Sequence, residues 1–194
     1  MRIIAGAWRG RKLEVPPGIR PMQDRERERL FSVLGDRVAD AAVLDVFAGS
    51  GAVSIEALSR GARLATLIEN GHKVLPVLKR NLEALEAGPR ARLLPISAFG
   101  LPKSGEPGQG TVDIAVCTPP FPLLADAALR DRFRTLFRYL ARQLAAPGAT
   151  FVLEHPIRLD PDEASGLGPP RDTRRTAGSA LSLWETAAVP PERP

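Results

Sequence analysis

The sequence predicts an α/β fold: a mostly parallel sheet with helices on both faces. Two patterns lead there. Apolar runs of four or five residues alternate with stretches whose leucines recur at three- and four-residue spacings. The apolar runs tend to end at a turn-forming or acidic residue, and the helical stretches supply the crossovers that parallel strands require. The composition agrees, with 44% hydrophobic and 25% charged residues, as in ordinary folded domains and unlike disordered or membrane chains.

Residues 1–14 read as a short basic β-hairpin, with Arg2-Ile3-Ile4 and Trp8 to Leu13 joined through Ala5-Gly6-Ala7. Pro16, Pro17, Gly18 and Pro21 make 16–21 a linker. Gln23 to Leu34 reads as a charged helix carrying Leu30, Phe31 and Leu34 on its apolar stripe, stopped by Gly35. Residues 1–40 are thus an extension, 41–189 the main domain and 190–194 a tail. Within the main domain, Ala42 to Val46 is a strand that runs into Phe47-Ala48-Gly49-Ser50-Gly51. Ala52 to Arg60 is a helix closed by Gly61. Leu64 to Ile68 is the second strand. Val74, Leu78, Leu82 and Leu85 mark the next helix, with Pro76 in its first turn or kinking it. Arg92 to Ile96 is the third strand, and four glycines and two prolines make 99–110 a flexible loop. Val112 to Val116, the fourth strand, leads to Cys117-Thr118-Pro119-Pro120-Phe121. A long helix then carries Leu129, Phe133, Leu136, Leu140 and Leu144 on one face and stops at Pro147-Gly148. Thr150 to Leu153 is the fifth strand, 156–170 is Pro- and Gly-rich, and Thr173 to Ala187 holds a final pair of strands.

Charge narrows the partner. Lys and Arg total 27 against 22 Asp and Glu, a net charge of +5, and only four of the 27 are lysines. Arginine offers a planar fork of donors suited to phosphate and stacks on bases. Arg2, Arg9, Arg11 and Lys12 fall in the first twelve residues with no acid among them. That clustering fits nucleic acid, although a coding bias towards arginine gives the same count. A single cysteine, Cys117, excludes an internal disulfide and a Cys-based zinc site, and two histidines, His72 and His155, make a metal site unexpected. There is no apolar run of membrane-spanning length and no signal-peptide pattern, so a cytoplasmic protein is expected, without membrane contact and monomeric.

In parallel sheets, ligands bind at the carboxyl ends of the strands. Three such ends carry chemistry. The turn Phe47 to Gly51 brings backbone amides close to a ligand at a helix N-terminus, and Asp45 before it suits a cationic ligand such as the amino-acid end of S-adenosylmethionine. The turn lacks Gly-Lys-Ser/Thr, which excludes a phosphate-binding nucleotide loop. Glu69, followed by Asn70, ends the second strand where an acid accepts the two hydroxyls of a ribose. It also reads as a solvated loop acid. In Thr118-Pro119-Pro120-Phe121 the prolines leave carbonyls unpaired towards the cleft and Phe121 can stack on a base. A strand terminator with a core phenylalanine gives the same pattern. Cys117, without a histidine partner, reads as an inert thiol.

These stretches resemble the bacterial 16S rRNA guanine-N2 methyltransferases, a Rossmann-like class I branch of the S-adenosylmethionine-dependent enzymes with a seven-stranded sheet. The resemblance covers residues 1 to about 154 and more weakly 171–186. It is carried by Arg2 to Leu13, by Arg20-Pro21 with Asp24-Arg25, and by Leu44 to Ala52 continuing through Glu56 to Ala62. It implies that Asp45, Gly49 and Gly51, with Phe47, Ala48 and Ser50, hold the methionine end of the cofactor. Glu69 and Asn70 would hold the ribose, and Ser97 and Ala98 lie where the family binds adenine. Arg2, Trp8, Arg9, Arg11, Lys12, Arg20 and Arg25 would contact 16S rRNA or a small-subunit precursor. Three positions depart from the family. Thr118 replaces the acid of the amine-methylating Asp-Pro-Pro-Phe/Tyr motif, Ser97 replaces an Asp, and Met22 replaces a Thr after Arg-Pro. All three are expected to face cofactor or substrate rather than the core. A guanine amine has its lone pair delocalised into the ring, so a side-chain oxygen and the Pro119 carbonyl that accept its two N–H groups make it a better nucleophile. Thr118 accepts without charge, and charge-assisted bonds are about twice as strong. Two other readings stand beside an active enzyme: a relative that binds RNA without methylating, and an amine methyltransferase acting on DNA adenine.

Overall fold

The structure, a computed structural model, describes residues 1–176 and 178–186. The predicted tail, 190–194, and the end of the last predicted strand at Ala187 lie outside the described residues.

Five strands run parallel: β1 (Ala42–Val46), β2 (Leu64–Ile68), β3 (Ala91–Leu94), β4 (Val112–Cys117) and β5 (Ala145–Pro156). Two more, β6 (Asp172–Arg175) and β7 (Ser179–Glu185), complete a seven-stranded sheet of order β3-β2-β1-β4-β5-β7-β6, with β7 antiparallel to both its neighbours. The chain leaves β1 first to one side, for β2 and β3, and then to the other, for β4 and β5. The carboxyl ends of β1 and β4 therefore flank the switch point at which such sheets bind ligands.

Side chains alternate between two cores, one on each face. Val43, Ile114, Val116 and Val152 face the helices α1 (Asp24–Leu34), α2 (Ala52–Ser59) and α3 (Leu75–Ala84). Leu44, Val46, Ala115, Cys117, Phe151 and Leu153 face α6 (Ala127–Tyr139), whose Phe133 and Phe137 rings stack 5.6 Å apart. Asp45 falls on the α2 side by the same alternation, and this decides its partner.

The amino-terminal extension pairs as a short hairpin. Arg2 and Lys12 form an antiparallel bridge, and the amides of Ile3 and Leu13 donate to the Arg11 and Met1 carbonyls at 3.0 Å each. Beyond Ile3 the backbone donors turn to α2: Glu56 accepts the amides of Ile4 (2.8 Å) and Ala5 (2.9 Å), and the Ser59 carbonyl accepts that of Ala7 (2.7 Å). Ile3, Leu13, Met22, Leu30, Phe31 and Leu34 sit in the same core as α2 and α3, so the extension folds onto the sheet.

Further along, three expectations change. The 99–110 loop contains a 3-10 turn (Ala98–Gly100) and a short helix, α4 (Leu101–Ser104), because Leu101 is wholly buried. The long helix is divided: α5 (Phe121–Ala125) and α6 meet at Asp126, whose carboxylate caps α6 through the Leu129 amide. Leu140–Leu144 then continue as a π-helical turn. Pro147-Gly148 lies inside β5 rather than ending the helix. A last helix, α7 (Pro161–Ser165), crosses the Pro- and Gly-rich 156–170 stretch. Among the described residues, no helix is long and apolar enough to cross a membrane.

Candidate functional site

A cleft of about 540 Å³ opens at the carboxyl ends of β1, β2 and β4. Phe47, Ala48, Gly49 and Ser50 form one wall, Glu69 and Asn70 a second, and Thr118 to Phe121 a third, with Arg20 at the linker side. Eleven candidate residues from four distant stretches of sequence thus meet around one space.

The Gly-rich turn is held from both sides. Phe47 adopts a positive φ of 71°, and the Ala48 amide donates to the Ile68 carbonyl at 3.0 Å. Glu69 grips the turn across the β1–β2 gap, its Oε2 accepting the Gly49 amide at 2.9 Å. Its Oε1 accepts the amides of Asn70 (2.9 Å) and Gly71 (2.7 Å). A carboxylate has about four acceptor sites, so three backbone donors leave one for a ligand.

Asp45 stands behind the cleft wall, 1% exposed. Its Oδ2 accepts both the amide (3.2 Å) and the hydroxyl (2.7 Å) of Ser54, and its Oδ1 is buried with no partner among the described residues. Burial pushes its carboxyl up to about 6, with the nearby Glu69 charge adding to the effect. Gly51 is also away from the cleft. A Cβ there would lie 2.4 Å from the Leu78 methyl, so its glycine serves the packing of α2 on α3.

Thr118 continues the β4 edge, its amide donating to the Val46 carbonyl at 3.3 Å and its hydroxyl to the Phe47 carbonyl at 3.4 Å. The hydroxyl oxygen keeps its lone pairs for a donor arriving from the cleft. Cys117 is fully buried, and burial raises its thiol well above the usual range, which makes it inert. His155 is buried as well, with its ring nitrogens on the Ser182 hydroxyl and the Pro156 carbonyl.

Other candidates lie elsewhere. Ser97 is exposed ahead of the 3-10 turn and Ala98 is buried in the α6-side core. Met22 corrects the expectation for its position: it touches the cleft but is 8% exposed and belongs to the core with Leu30. Trp8 is half-buried on the core with the Arg90 guanidinium 5.3 Å above its ring. Arg2 donates to the Gly10 carbonyl at 2.8 Å and Arg11 to that of Ala84, while Arg9, Lys12 and Arg25 are exposed. The hairpin tip rests on Glu56 and Ser59, at the end of α2 about 12 Å from the Gly-rich turn at 1.5 Å per residue.

The sequence reading missed Glu26, Ile19 and Glu154 among the cleft residues. Glu154 follows Val152-Leu153 near the end of β5, so the strand-end rule that found Asp45 and Glu69 applies to it too. Burial and the facing Glu26 raise its carboxyl above the ordinary range.

The model of the family described as Conserved hypothetical protein 95 matches residues 1–176. This chain belongs to that family. The Conserved hypothetical protein 95 match spans the extension and almost the whole sheet. A relative in Escherichia coli strain K12, named Ribosomal RNA small subunit methyltransferase D, is 49% identical over 124 residues, 62% of this chain and 60% of that protein. The chain therefore matches less than two thirds of that relative's length. A Bacillus subtilis relative named Putative rRNA methyltransferase YlbH is 37% identical over 95 residues, 48% of this chain and 52% of its own. A solved structure described as putative methyltransferase yhhF from Escherichia coli superposes with a TM-score of 0.79 at 34% identity, covering 97% of this chain and 99% of that one. The fold of this family member is that of the Rossmann-like methyltransferases.

Proposed function

We propose that the chain is an S-adenosylmethionine-dependent methyltransferase acting on the N2 amine of a guanine in 16S rRNA. One observation carries the reading: the Gly-rich turn, Glu69 and Thr118-Pro119-Pro120-Phe121 converge on one cleft at the β1–β4 switch point. The names of the E. coli and B. subtilis relatives support an rRNA substrate.

The residues present fit the cofactor. Glu26, Glu69 and Glu154 against Arg20 give the cleft an acidic balance suited to a cation, and the partnerless Asp45 Oδ1 adds a buried acceptor behind it. The volume lies within the range of about 300–1,000 Å³ typical of small-ligand sites. Phe47 to Ser50 with Glu69 and Asn70 would hold it, with Asp45 supporting the turn from behind. When bound, S-adenosylmethionine supplies an electrophilic methyl group on a sulfonium.

The chain's own residues perform the rest. A target base unstacked from its helix enters beside Phe121, which stacks on it. The Thr118 hydroxyl oxygen and the Pro119 carbonyl accept the two amine N–H groups. These bonds orient the nitrogen lone pair towards the methyl and favour the charge that develops on the amine. Residues Pro119 and Pro120, with no amide hydrogen, offer no competing donor at this point.

The test is calorimetry with S-adenosylmethionine, followed by methyl transfer to precursor small subunits. Binding by wild type and weakening by Asp45→Ala are expected, with the methyl recovered on guanine N2. No binding by wild type, or transfer to DNA adenine instead, overturns the reading. A binding-only relative is the second reading, favoured by the uncharged Thr118 in the acid position. It predicts cofactor and RNA binding with no transfer.

A further inference from the structure

On the face of the sheet that carries α1, at the edge away from β3, a groove of about 760 Å³ runs between α1 and the edge strand β6. Arg29 and Arg37 enter it from the α1 side, and Arg171, Arg174 and Arg175 from β6 and the residue before it. Asp172 and Glu185 are its acids, so five guanidiniums face two carboxylates. Glu185 is bracketed by Arg37 at 3.0 Å and by Arg171, and Asp172 holds Arg174 at 2.8 Å. Arg29 and Arg175 have no carboxylate within ion-pair distance among the described residues. Arg29 instead donates to the Arg175 carbonyl at 2.8 Å, which fixes the two neighbours side by side at the surface.

The groove and the cleft lie on either side of one buried contact between α1 and β7. Glu26, one turn before Arg29 on α1, lines the cleft and accepts a bond from Ser179 at 3.1 Å. Because β6 is antiparallel to β7, Arg175 lies beside Ala180, near Ser179, and Asp172 lies further away beside Leu183. Arg25 extends the row, four residues before Arg29 on the same helix face. Arginines thus follow α1 and the sheet edge on the side of α1 that carries Glu26 of the cleft, and Thr173 and Ser32 also line the groove.

We propose that this groove is a second RNA site, taking the phosphate backbone of the strand that flanks the target nucleotide. The proposal rests on the RNA-methyltransferase reading of the cleft and adds where the strand runs. Guanidiniums set in pairs on a fixed backbone match phosphate oxygens, and contacts of this kind position a strand without reading its sequence. The site sits on α1 and β6, whereas the amino-terminal hairpin tip rests on the end of α2, so the two basic surfaces use different elements. Arginines on an edge strand also deter pairing with another sheet, a role that leaves RNA binding untouched.

The probe is a fluorescein-labelled single-stranded RNA of mixed sequence, titrated with the 194-residue chain over a range of KCl concentrations. Each phosphate contact contributes about 0.7 to the logarithmic salt slope for a single strand, so Arg29→Gln with Arg175→Gln should flatten it by about 1.4. Arg175→Gln alone, whose side chain has no hydrogen bond or ion pair among the described residues, should flatten it by about 0.7 and guards against a loss of folding at Arg29. On precursor small subunits both variants should raise KM at unchanged kcat, with S-adenosylmethionine affinity by calorimetry as in wild type. A wild type that binds RNA with a slope unchanged by these substitutions but flattened by Arg9→Gln with Lys12→Gln overturns the groove and leaves the cleft reading standing. A wild type that neither binds RNA in a salt-dependent way nor transfers methyl overturns both.

Discussion

Asp45 and Ser54 are joined twice, through the amide and the hydroxyl of Ser54, and both bonds go to one carboxylate oxygen, Oδ2. Ser54 is the third residue of α2, and the position before the helix is Gly51, which has no side chain to cap it. Asp45 therefore does a cap residue's work from a neighbouring strand, satisfying an amide that would otherwise be an orphan donor. Its Oδ1 keeps no partner among the described residues. A single side chain ties the last turn of β1 to the first turn of α2, between which the Gly-rich turn must hold its shape.

The burial of Asp45 makes its titration visible in stability. Its carboxyl is raised from 3.8 to about 6, so the folded protein holds this proton more tightly than the unfolded chain. The resulting stabilisation is fully present below about pH 4 and is lost as pH rises through about 6. At about 1.4 kcal/mol per pH unit the loss amounts to about 3 kcal/mol. Urea unfolding of wild type and Asp45→Asn across this range should give a difference that falls with pH and levels off near neutrality. A constant difference would show that Asp45 titrates normally.

Glu69→Ala should destabilise the protein before any cofactor is added. Three amides lose a charged acceptor, including that of Gly49 in the turn. Partly exposed orphan donors recover bonds to water, so a loss of about 1–3 kcal/mol is expected. Thermal unfolding without cofactor measures it directly. An unchanged Tm would mean that the turn keeps its shape without Glu69.

Gly6 and Gly10 have nearly the same φ, +81° and +84°, but different surroundings. A Cβ on Gly6 would lie 1.8 Å from the Ser59 carbonyl oxygen, whereas one on Gly10 meets nothing within 4 Å. Gly10→Ala should cost about 1 kcal/mol of backbone strain. Gly6→Ala should cost more than about 2 kcal/mol by lifting the tip from α2, and limited proteolysis should then release the first residues. Equal costs for the two would show that the tip is not seated on Ser59.

Thr118→Asp should raise methyl transfer by about 10²-fold in kcat, the usual size of one transition-state acceptor. The Thr118 hydroxyl is directed to the Phe47 carbonyl, and an aspartate would replace it with a charged acceptor only. An effect confined to KM would assign the residue to pocket shape. Wild-type turnover at ordinary rates, with the substitution neutral or harmful, would place amine orientation on the Pro119 carbonyl and another acceptor.

The sequence alone determined the elements whose pattern is local. Strands β1 and β2 lie at the predicted residues because a five-residue apolar run bounded by turn signals leaves little freedom; α1 and α3 follow from apolar spacing, and α2 from the Gly-rich turn before it and Gly61 after it. It also named Phe47 to Ser50, Glu69, Asn70 and Thr118 to Phe121, because strand ends in a parallel sheet are recognisable from the chain itself. What only the tertiary structure decided depends on groups far apart in sequence. Where the hairpin of residues 1–14 is seated was settled by Glu56 and Ser59, which take the amides of its tip. Pro147-Gly148 sits within β5 as an exposed, unpaired irregularity, because the pairing with β4 passes from Ala145 directly to Thr150. Met22 went to the core because Leu30 and its neighbours lie beneath it. Glu154 faces the cleft because β5 is placed next to β4, and the arginine groove exists because β6, some 140 residues after Arg29, is laid alongside α1. Local propensity acts over a few residues, whereas burial and hydrogen-bond partners are assigned only when the whole sheet closes.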